Sequence, residues 1–300
     1  MKNGETAFGA EAEDFALKEA PGWMAWAWRQ RPIVRSVEVE GAVVRYRAWN
    51  PGATDKQGLI LQHGFRAHAR WWDHVAPFLT DRYRVVAPDF TGMGDSDWRP
   101  TYSRKQFGRE ILAVAKHAGF DRFVGVAHSF SGVSMLHAMI TTPEAFDRVV
   151  VIDADAFRDE DDGRPVPYSS GRIYPDLDTA LAAYRLTPPG KWPDPHVLAY
   201  LGRHSLREKD GGWSWKFDPD GAQSVSNEKV RADLVGFQRP VDYVYGDCSE
   251  IAGPETVARF LERVPTCARP IAIPASHHHI MIEQPVALIA ILKAILAERR

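Results

Sequence analysis

A serine lies where a strand-like run gives way to a helix-like run in VGVAHSFSGVSML, residues 124–136. Small residues flank Ser129, with Ala127 two positions before it and Ser131 and Gly132 just after it. A serine at so tight a turn is held with its hydroxyl exposed above a sheet, beside the N–H groups of a helix N-terminus. The pattern is a variant of the G-x-S-x-G nucleophile elbow. It predicts a nucleophile, although a serine at this place can also serve as a helix cap.

A nucleophilic serine needs a base, a third group that orients the base, and hydrogen-bond donors for the oxyanion. Histidines occur in ASHHHIMIEQP, residues 275–285, after the last predicted strand, and carboxylates occur in YGDCSEI, residues 245–251. The turn in QHGF brings the N–H of Phe65 into reach of such a site, and the N–H of Phe130 directly follows the serine. We therefore predict Phe65 and Phe130 as the two oxyanion donors.

Short apolar runs alternate with segments of helical period along most of the chain. The predicted strands are 36–49 (a hairpin about Gly41), 58–64, 83–90, 121–128, 146–155, 240–246 and 269–276. The predicted helices are 69–79, 103–120, 130–140, 253–264 and 284–300. This alternation predicts an α/β fold, in which helices cover both faces of a mostly parallel sheet.

Residues 156–235 interrupt this rhythm, because they are rich in Pro and Gly and contain no buried-strand run. We interpret them as an inserted helical cap, between core segments 34–155 and 236–300. Residues 1–33 are interpreted as an N-terminal extension. Since ligands of open α/β sheets bind beyond the carboxyl ends of the strands, an insertion at such an end is expected to form a lid over the site.

The net charge and the composition of the chain exclude some classes of binding partner. A formal net charge of -2 speaks against a nucleic acid or an anionic membrane as partner. Two cysteines fit a reducing compartment, and neither a secretory signal nor a long apolar run is evident. We expect a cytoplasmic protein that acts on a small-molecule substrate; a homodimer remains open.

Four stretches on the expected elements carry a family resemblance: HGF at 63–65, APDFTGMGDSD at 87–97, AHSFSG at 127–132 and HHHIMIEQP at 277–285. With them the chain resembles the serine-nucleophile α/β-hydrolases that have a helical cap domain. The resemblance implies hydrolysis of an ester or related acyl bond without a cofactor.

The resemblance also implies that the catalytic histidine lies seven residues before Pro285, at His278. Three adjacent histidines, His277 to His279, raise the alternative of a metal site. We expect none, because neighbours on an extended or turning chain point in different directions and no Cys or carboxylate stands at ligand spacing. His128, beside the nucleophile, is assigned to packing, hydrogen bonding and contact with substrate rather than to the role of base.

The third member of the triad is left open among three carboxylates. The family most often has Asp three residues after the glycine that ends the strand, and here that residue is Ser249. Glu250, one residue later, matches a family variant and is preferred. Asp247 directly follows the glycine and comes second. Asp153, at the end of VVVID, comes third, because some relatives carry the acid on that strand.

Several reactions stay open at this point. Dehalogenases and epoxide hydrolases of this fold use an aspartate at the elbow, so Ser129 argues against both. The same triad serves esterases, lactonases and carbon–carbon bond hydrolases, and some members of the fold only bind a ligand. The residues predicted to contact an apolar or aromatic substrate are Arg66, His128, Trp192 and Trp213, together with the cap residues Tyr184 and Trp215.

Overall fold

The centre of the protein is an eight-stranded sheet, seen in a computed structural model that describes residues 20–158, 171–221, 233–267 and 269–298. The strands are β1 (Ile33–Val39), β2 (Ala42–Trp49), β3 (Gln57–Gln62), β4 (Tyr83–Pro88), β5 (Phe123–His128), β6 (Phe146–Ile152), β7 (Leu206–Lys209), β8 (Gly212–Trp215), β9 (Val241–Gly246) and β10 (Ile271–Ile273). The order in the large sheet is β1-β2-β4-β3-β5-β6-β9-β10, and β7 and β8 form a separate hairpin.

All neighbours from β4 to β10 in this order pair in parallel, which confirms the predicted α/β architecture. The two strands at the other edge pair antiparallel, as predicted for the hairpin about Gly41. Its turn residues, Glu40 and Gly41, both have positive φ, the conformation that a two-residue turn of type I′ requires. The central strands β5 and β6 are buried almost throughout, as expected for strands covered on both faces.

Helices cover both faces of the sheet. They are α1 (Gly22–Arg29), α2 (Arg104–His117), α3 (Ser131–Thr141), α4 (Leu177–Ala182), α5 (Pro195–His204), α6 (Pro254–Arg263), α7 (Ile280–Glu283) and α8 (Pro285–Ala297). Two large apolar clusters, one containing Phe107 and Phe123 and the other Leu59 and Trp72, form the core.

The helix predicted over 69–79 is wrong. Two short 3-10 turns, Ala69–Trp72 and Ala76–Leu79, occupy this stretch. Pro77 lacks the N–H that a continuous helix would need, and the Asp89 carboxylate accepts the N–H of Ala69 at the start. Trp71 and Trp72 are nevertheless buried, so the apolar spacing reports packing rather than a regular helix.

The insertion between β6 and β9 contains strands as well as helices. Besides α4 and α5 it holds the β7–β8 hairpin, turned by Asp210 and Gly211, which both have positive φ. The expectation of a wholly helical cap is therefore corrected, because the Asp-Gly turn between alternating residues favours a hairpin. Both predicted cap boundaries adjoin ranges, 159–170 and 222–232, that lie outside the described residues, as does most of the N-terminal extension.

None of the described helices combines the length and apolarity that a membrane span requires.

Candidate active site

Ser129 occupies a strained turn between β5 and α3. Its φ is 55°, a left-handed conformation that non-glycine residues adopt at a cost of roughly 1–3 kcal/mol. The Ser129 N–H donates to Ile152 O at 2.8 Å, which ties the turn to the neighbouring strand β6. Position 132 requires a small residue, because a methyl group built on the Cα of Gly132 would lie 3.0 Å from Ala154 Cβ. Tight packing around the turn thus holds the serine in place.

Two hydrogen bonds connect Ser129 to a histidine and then to a carboxylate. Ser129 Oγ lies 2.8 Å from His278 Nε2, and His278 Nδ1 lies 2.7 Å from Asp153 Oδ1. A carboxylate only accepts, so Nδ1 carries the hydrogen and Nε2 of the neutral ring carries the lone pair that receives the serine proton. Both His278 and Asp153 are buried. This is the arrangement in which a serine hydroxyl becomes a nucleophile.

The carboxylate beside His278 is therefore Asp153, and the sequence preference for Glu250, then Asp247, is corrected. Both of those side chains are exposed. Asp247 instead receives a long contact, 3.4 Å, from the N–H of Ser276. The preference for Glu250 and Asp247 rests on the strand after which family members most often carry the acid. The deciding features are burial and direction, because the backbone of Asp153, with a φ of 46°, turns its side chain toward His278.

The loop after β9 supplies donors to this carboxylate rather than a carboxylate of its own. Ser249 Oγ donates to Asp153 Oδ1 at 2.7 Å, and the N–H of Gly246 donates to Oδ2 at 2.9 Å. Sequence reasoning missed this role of Ser249, although its position, three residues after the glycine, marked the place. With His278, three donors satisfy the buried carboxylate.

The loop that carries His278 approaches β9 closely. A methyl group built on Gly246 would lie 2.3 Å from Ser276 O, so only glycine permits the approach. On the other side, the buried Glu283 carboxylate accepts the N–H groups of His277, Lys191 and Trp192. Glu283 therefore connects this loop to the insertion, and sequence reasoning missed it although it belongs to the HHHIMIEQP stretch.

The predicted oxyanion donors lie beside the nucleophile. A methyl group on Gly64 would be 3.3 Å from Ser129 Cβ, which brings the turn that contains Phe65 against the serine. Phe130 is the N-cap residue directly before α3, and the centroid of its ring lies 5.2 Å from that of Phe65. Within the described part of the chain, neither N–H donates to a protein acceptor. Both are therefore available for an oxyanion.

Two further buried histidines surround His278. His128 Nε2 lies 2.9 Å from His278 O, and His279 Nε2 lies 3.0 Å from Pro188 O. Burial lowers the pKa of His128 well below its ordinary value, and burial together with the nearby His278 lowers the pKa of His279 to about 3. Both rings are therefore neutral at neutral pH. His128 contacts the His278 backbone, and it does not line the cavity described next.

A cavity of about 240 Å³ lies between the core and the insertion. Its core wall includes Phe65, Arg66, Trp71 and His279. The insertion contributes a wall that includes four aromatic residues, Tyr174, Tyr184, Trp215 and Phe217. The guanidinium of Arg66 stacks between two rings of these walls, 5.1 Å from Phe65 and 4.7 Å from Phe217.

Of the predicted substrate contacts, Arg66 therefore lies in the cavity wall, but Trp192 and Trp213 do not. Trp192 is 48% exposed and packs near His277, with ring centroids 5.3 Å apart. Trp213 packs under the guanidinium of Arg203 instead.

The model of the alpha/beta hydrolase family matches residues 59–291, which is more than two thirds of the chain. The chain belongs to the alpha/beta hydrolase family. The matched range begins in β3 and ends in α8, so it includes the serine turn, the carboxylate and the histidine loop of this hydrolase-family protein.

Among curated proteins, the chain is similar to an uncharacterized hydrolase, YugF, of Bacillus subtilis, with 30% identity over 127 residues, covering 41% of this chain and 45% of the relative. It is also similar to a soluble epoxide hydrolase of a Corynebacterium species, with 25% identity, covering 32% of this chain and 34% of the relative. The chain thus spans less than half the length of each of these two relatives.

Among solved structures, the hydrolase-family chain is similar in fold to E-2-(acetamidomethylene)succinate hydrolase. The TM-score is 0.72 with 18% identity, and the match covers 89% of this chain and all of that one. At this identity the likeness concerns the fold alone.

Proposed function

We propose that this protein hydrolyses an ester or related acyl bond of a small molecule. In this proposal Ser129 is the nucleophile, His278 the general base and Asp153 the orienting acid. The observation that carries the proposal is the unbroken pair of hydrogen bonds, 2.8 Å from Ser129 Oγ to His278 Nε2 and 2.7 Å from His278 Nδ1 to Asp153 Oδ1. A hydroxyl is a weak nucleophile without such a base, and the base needs a fixed tautomer.

The acylation step follows from this geometry. As Ser129 Oγ forms a bond to the acyl carbon, its proton passes to His278 Nε2, and the acyl oxygen takes up the negative charge. The N–H groups of Phe65 and Phe130 donate to that oxygen. When the tetrahedral intermediate collapses, the bond to the leaving group breaks and the imidazolium returns its proton to the leaving oxygen. The Asp153 carboxylate stabilises the imidazolium in between.

Deacylation repeats these steps with water in place of the serine. His278 accepts a proton from water, the hydroxide attacks the acyl carbon, and Ser129 leaves with the proton restored. The product is a carboxylic acid, and the residues return to their starting state. Removal of one oxyanion donor typically costs on the order of 10²–10³ in turnover, so Phe65 and Phe130 are expected to contribute strongly.

Two other kinds of reaction occur on this fold. The residue at position 129 separates one of them from the proposed reaction, and a choice of substrates separates the other. One relative is named an epoxide hydrolase, but the resemblance to that class implies an aspartate where this chain has Ser129. A lactonase or a carbon–carbon bond hydrolase would use the same triad, and it remains the second candidate. A panel of linear esters, lactones and diketones would separate the three.

We also propose an apolar or aromatic group on the substrate, supported by the ring-lined wall of the 240 Å³ cavity. Trp215→Ala would remove part of that wall and is expected to raise KM for aryl esters more than for acetate esters. Trp192→Ala is the matched control, because this tryptophan is about half exposed and lies outside the cavity wall. Equal effects of the two substitutions would contradict the assignment.

The central test is hydrolysis of a short-chain p-nitrophenyl ester by the wild type and by Ser129→Ala, with and without a phosphonate inhibitor. Loss of the nucleophile is expected to lower kcat by a factor on the order of 10⁶. Ser134→Ala, on the same helix with a buried hydroxyl, is the matched control and should retain activity. If the wild type neither turns over any ester nor reacts with the phosphonate, the protein is a ligand-binding member of the fold.

A further inference from the structure

Three buried histidines from two distant parts of the chain lie together. His128 ends β5, and His278 and His279 precede α7. One ring nitrogen of each lies within 4.8 Å of those of the other two. Ring centroids are 4.8 Å apart for His128–His278 and for His278–His279, and 5.8 Å apart for His128–His279.

The hydrogen bonds of these rings determine which nitrogen carries a lone pair. His128 Nε2 and His279 Nε2 both face carbonyl oxygens, which only accept, so these nitrogens carry the hydrogens. When the Nε2 of a neutral imidazole carries the hydrogen, its Nδ1 carries the lone pair. His278 is reversed, since its Nδ1 donates to Asp153 and its Nε2 carries the lone pair. Each ring thus presents one unprotonated nitrogen.

Neither His128 Nδ1 nor His279 Nδ1 finds a hydrogen-bond partner among the residues that the structure describes, although both atoms are buried. A methyl group on Gly64 would lie 2.9 Å from His128 Nδ1 and 3.3 Å from Ser129 Cβ. His128 Nδ1 therefore lies near the turn that carries Ser129, and His278 Nε2 is hydrogen-bonded to Ser129 Oγ itself. A buried nitrogen without a partner is costly, so an occupant is expected.

We propose that His128, His278 and His279 form a binding site for a divalent first-row transition cation such as Zn²⁺, and that the bound cation blocks the active site. Neutral imidazole nitrogens suit Zn²⁺, Cu²⁺ and Ni²⁺. In a tetrahedral site with Zn–N bonds of about 2.1 Å the nitrogens lie about 3.4 Å apart, so the rings must draw together by small rotations. The fourth position then faces Ser129 and takes water.

The surroundings match those of histidine metal sites. A ligating histidine usually donates its other N–H to a carbonyl or a carboxylate, which fixes the ring. Here His278 O, Pro188 O and the Asp153 carboxylate already serve in this way. His279 also lines the 240 Å³ cavity, which provides a route by which a cation reaches the trio.

In the sequence alone, only the run His277 to His279 suggests a metal site. The expectation that adjacent histidines point in different directions holds for His277, whose Nδ1 turns to Glu283 at 3.1 Å. The third ligand comes instead from His128, 150 residues earlier than His278 in the chain. Only the fold brings these segments together, so spacing along the sequence could not reveal the set.

The bound cation would block hydrolysis because it shares one atom, His278 Nε2, with the proposed catalytic mechanism. A cation on His278 Nε2 occupies the lone pair that would accept the serine proton, and the hydrogen bond from Ser129 is lost. The blocking effect rests on the proposed hydrolase function, whereas cation binding does not. A protein that hydrolyses nothing could still bind the cation, and the two proposals can therefore fail separately.

The first experiment is titration of the metal-free full chain with Co²⁺, followed by the visible absorption of tetrahedral cobalt, and competition with Zn²⁺. We expect one saturable site with nitrogen ligands. His128→Phe and His279→Phe should each weaken binding by at least the 10–100-fold typical of lost supporting residues in metal sites. Ser129→Ala should retain binding although it lacks the nucleophile.

His277→Asn is the matched control, because it removes an adjacent histidine that faces Glu283, and it should leave the cobalt spectrum and affinity unchanged. Circular dichroism checks each fold, and if His128→Phe does not fold, His279→Phe carries the test. Absence of a saturable site, or equal loss in His277→Asn, would overturn the proposal and leave a buried water as the occupant. In the wild type, Zn²⁺ should inhibit ester hydrolysis and a chelator should restore it.

Discussion

Carboxylates follow both of the adjacent strands β6 and β9, close to the same histidine. They differ in burial and in whether they contact His278. After β6 the chain carries Asp153, which is fully buried and lies 2.7 Å from His278, and Asp155, which pairs with Arg259. After β9 the chain carries Asp247 and Glu250, both exposed, with buried Ser249 between them. The loop after β9 donates hydrogen bonds to the Asp153 carboxylate, and the turn after β6 supplies that carboxylate.

Parallel pairing explains why either end could hold the acid. Ile152 pairs with Val244, so the two strands finish at the same edge of the sheet, on the same side of His278. A carboxylate there must be buried beside the ring and must receive donors from its surroundings. The position next to His278 can therefore be reached from the carboxyl end of either strand. Substitutions at the two strand ends can test this.

Asp153→Asn should have the largest effect. The amide can donate to His278 Nδ1, which favours the tautomer with hydrogen on Nε2, and that nitrogen then cannot accept the serine proton. By analogy with the same change in a serine protease we expect a loss in kcat on the order of 10⁴. Ester hydrolysis measured on the purified variant checks this. Activity within tenfold of the wild type would return the role to the β9 loop.

Moving the carboxylate to the other strand end should restore part of that loss. Ser249 Oγ lies 2.7 Å from Asp153 Oδ1, so an aspartate at 249 would bring its charge within one hydrogen bond of the original place. The double variant Asp153→Asn with Ser249→Asp is expected to recover roughly tenfold or more over Asp153→Asn, which corresponds to about 1.4 kcal/mol of transition-state stabilisation. Hydrolysis rates of the two variants, measured side by side, give this ratio.

The control for this exchange is Asp153→Asn with Ser249→Asn, which has the same shape at 249 without the charge. It should stay as slow as the single variant. Equal rates in the aspartate and asparagine doubles would mean that the backbone after β9 does not let a carboxylate reach His278, and the two strand ends would then not be interchangeable.

Ser249→Ala should have an intermediate effect. It removes one of three donors to the buried carboxylate, and a hydrogen bond to a charged group is worth roughly 1.5–3 kcal/mol. Because part of this is recovered by solvent or relaxation, we expect about a tenfold loss in kcat with KM little changed. Ser249→Thr keeps the hydroxyl and should restore the rate. A rise in KM alone would instead indicate a general disturbance of the loop.

The sequence predicted the parts of the fold that depend on local pattern. Alternating and buried apolar runs identified the strands, and small residues around Ser129 identified the turn. The histidine followed from a resemblance over a short stretch. The acid and the histidine trio did not follow, because they depend on which strand ends meet at the sheet edge. The direction of Asp153 and the neighbourhood of His128 are set by tertiary packing, which residue spacing does not encode.

Substitution of the exposed carboxylates should have the smallest effect on activity, and it tests the difference between the two strand ends most directly. Glu250→Gln and Asp247→Asn each remove a charge from the loop that sequence reasoning favoured. Because both side chains face solvent, which screens their field at His278, we expect changes in kcat/KM within about twofold. Parallel measurement with Asp153→Asn, the same kind of isosteric change at the neighbouring strand end, makes burial the main variable. A tenfold loss in either exposed variant would show that the β9 loop contributes charge as well as donors, and that the division between the two strand ends is incomplete.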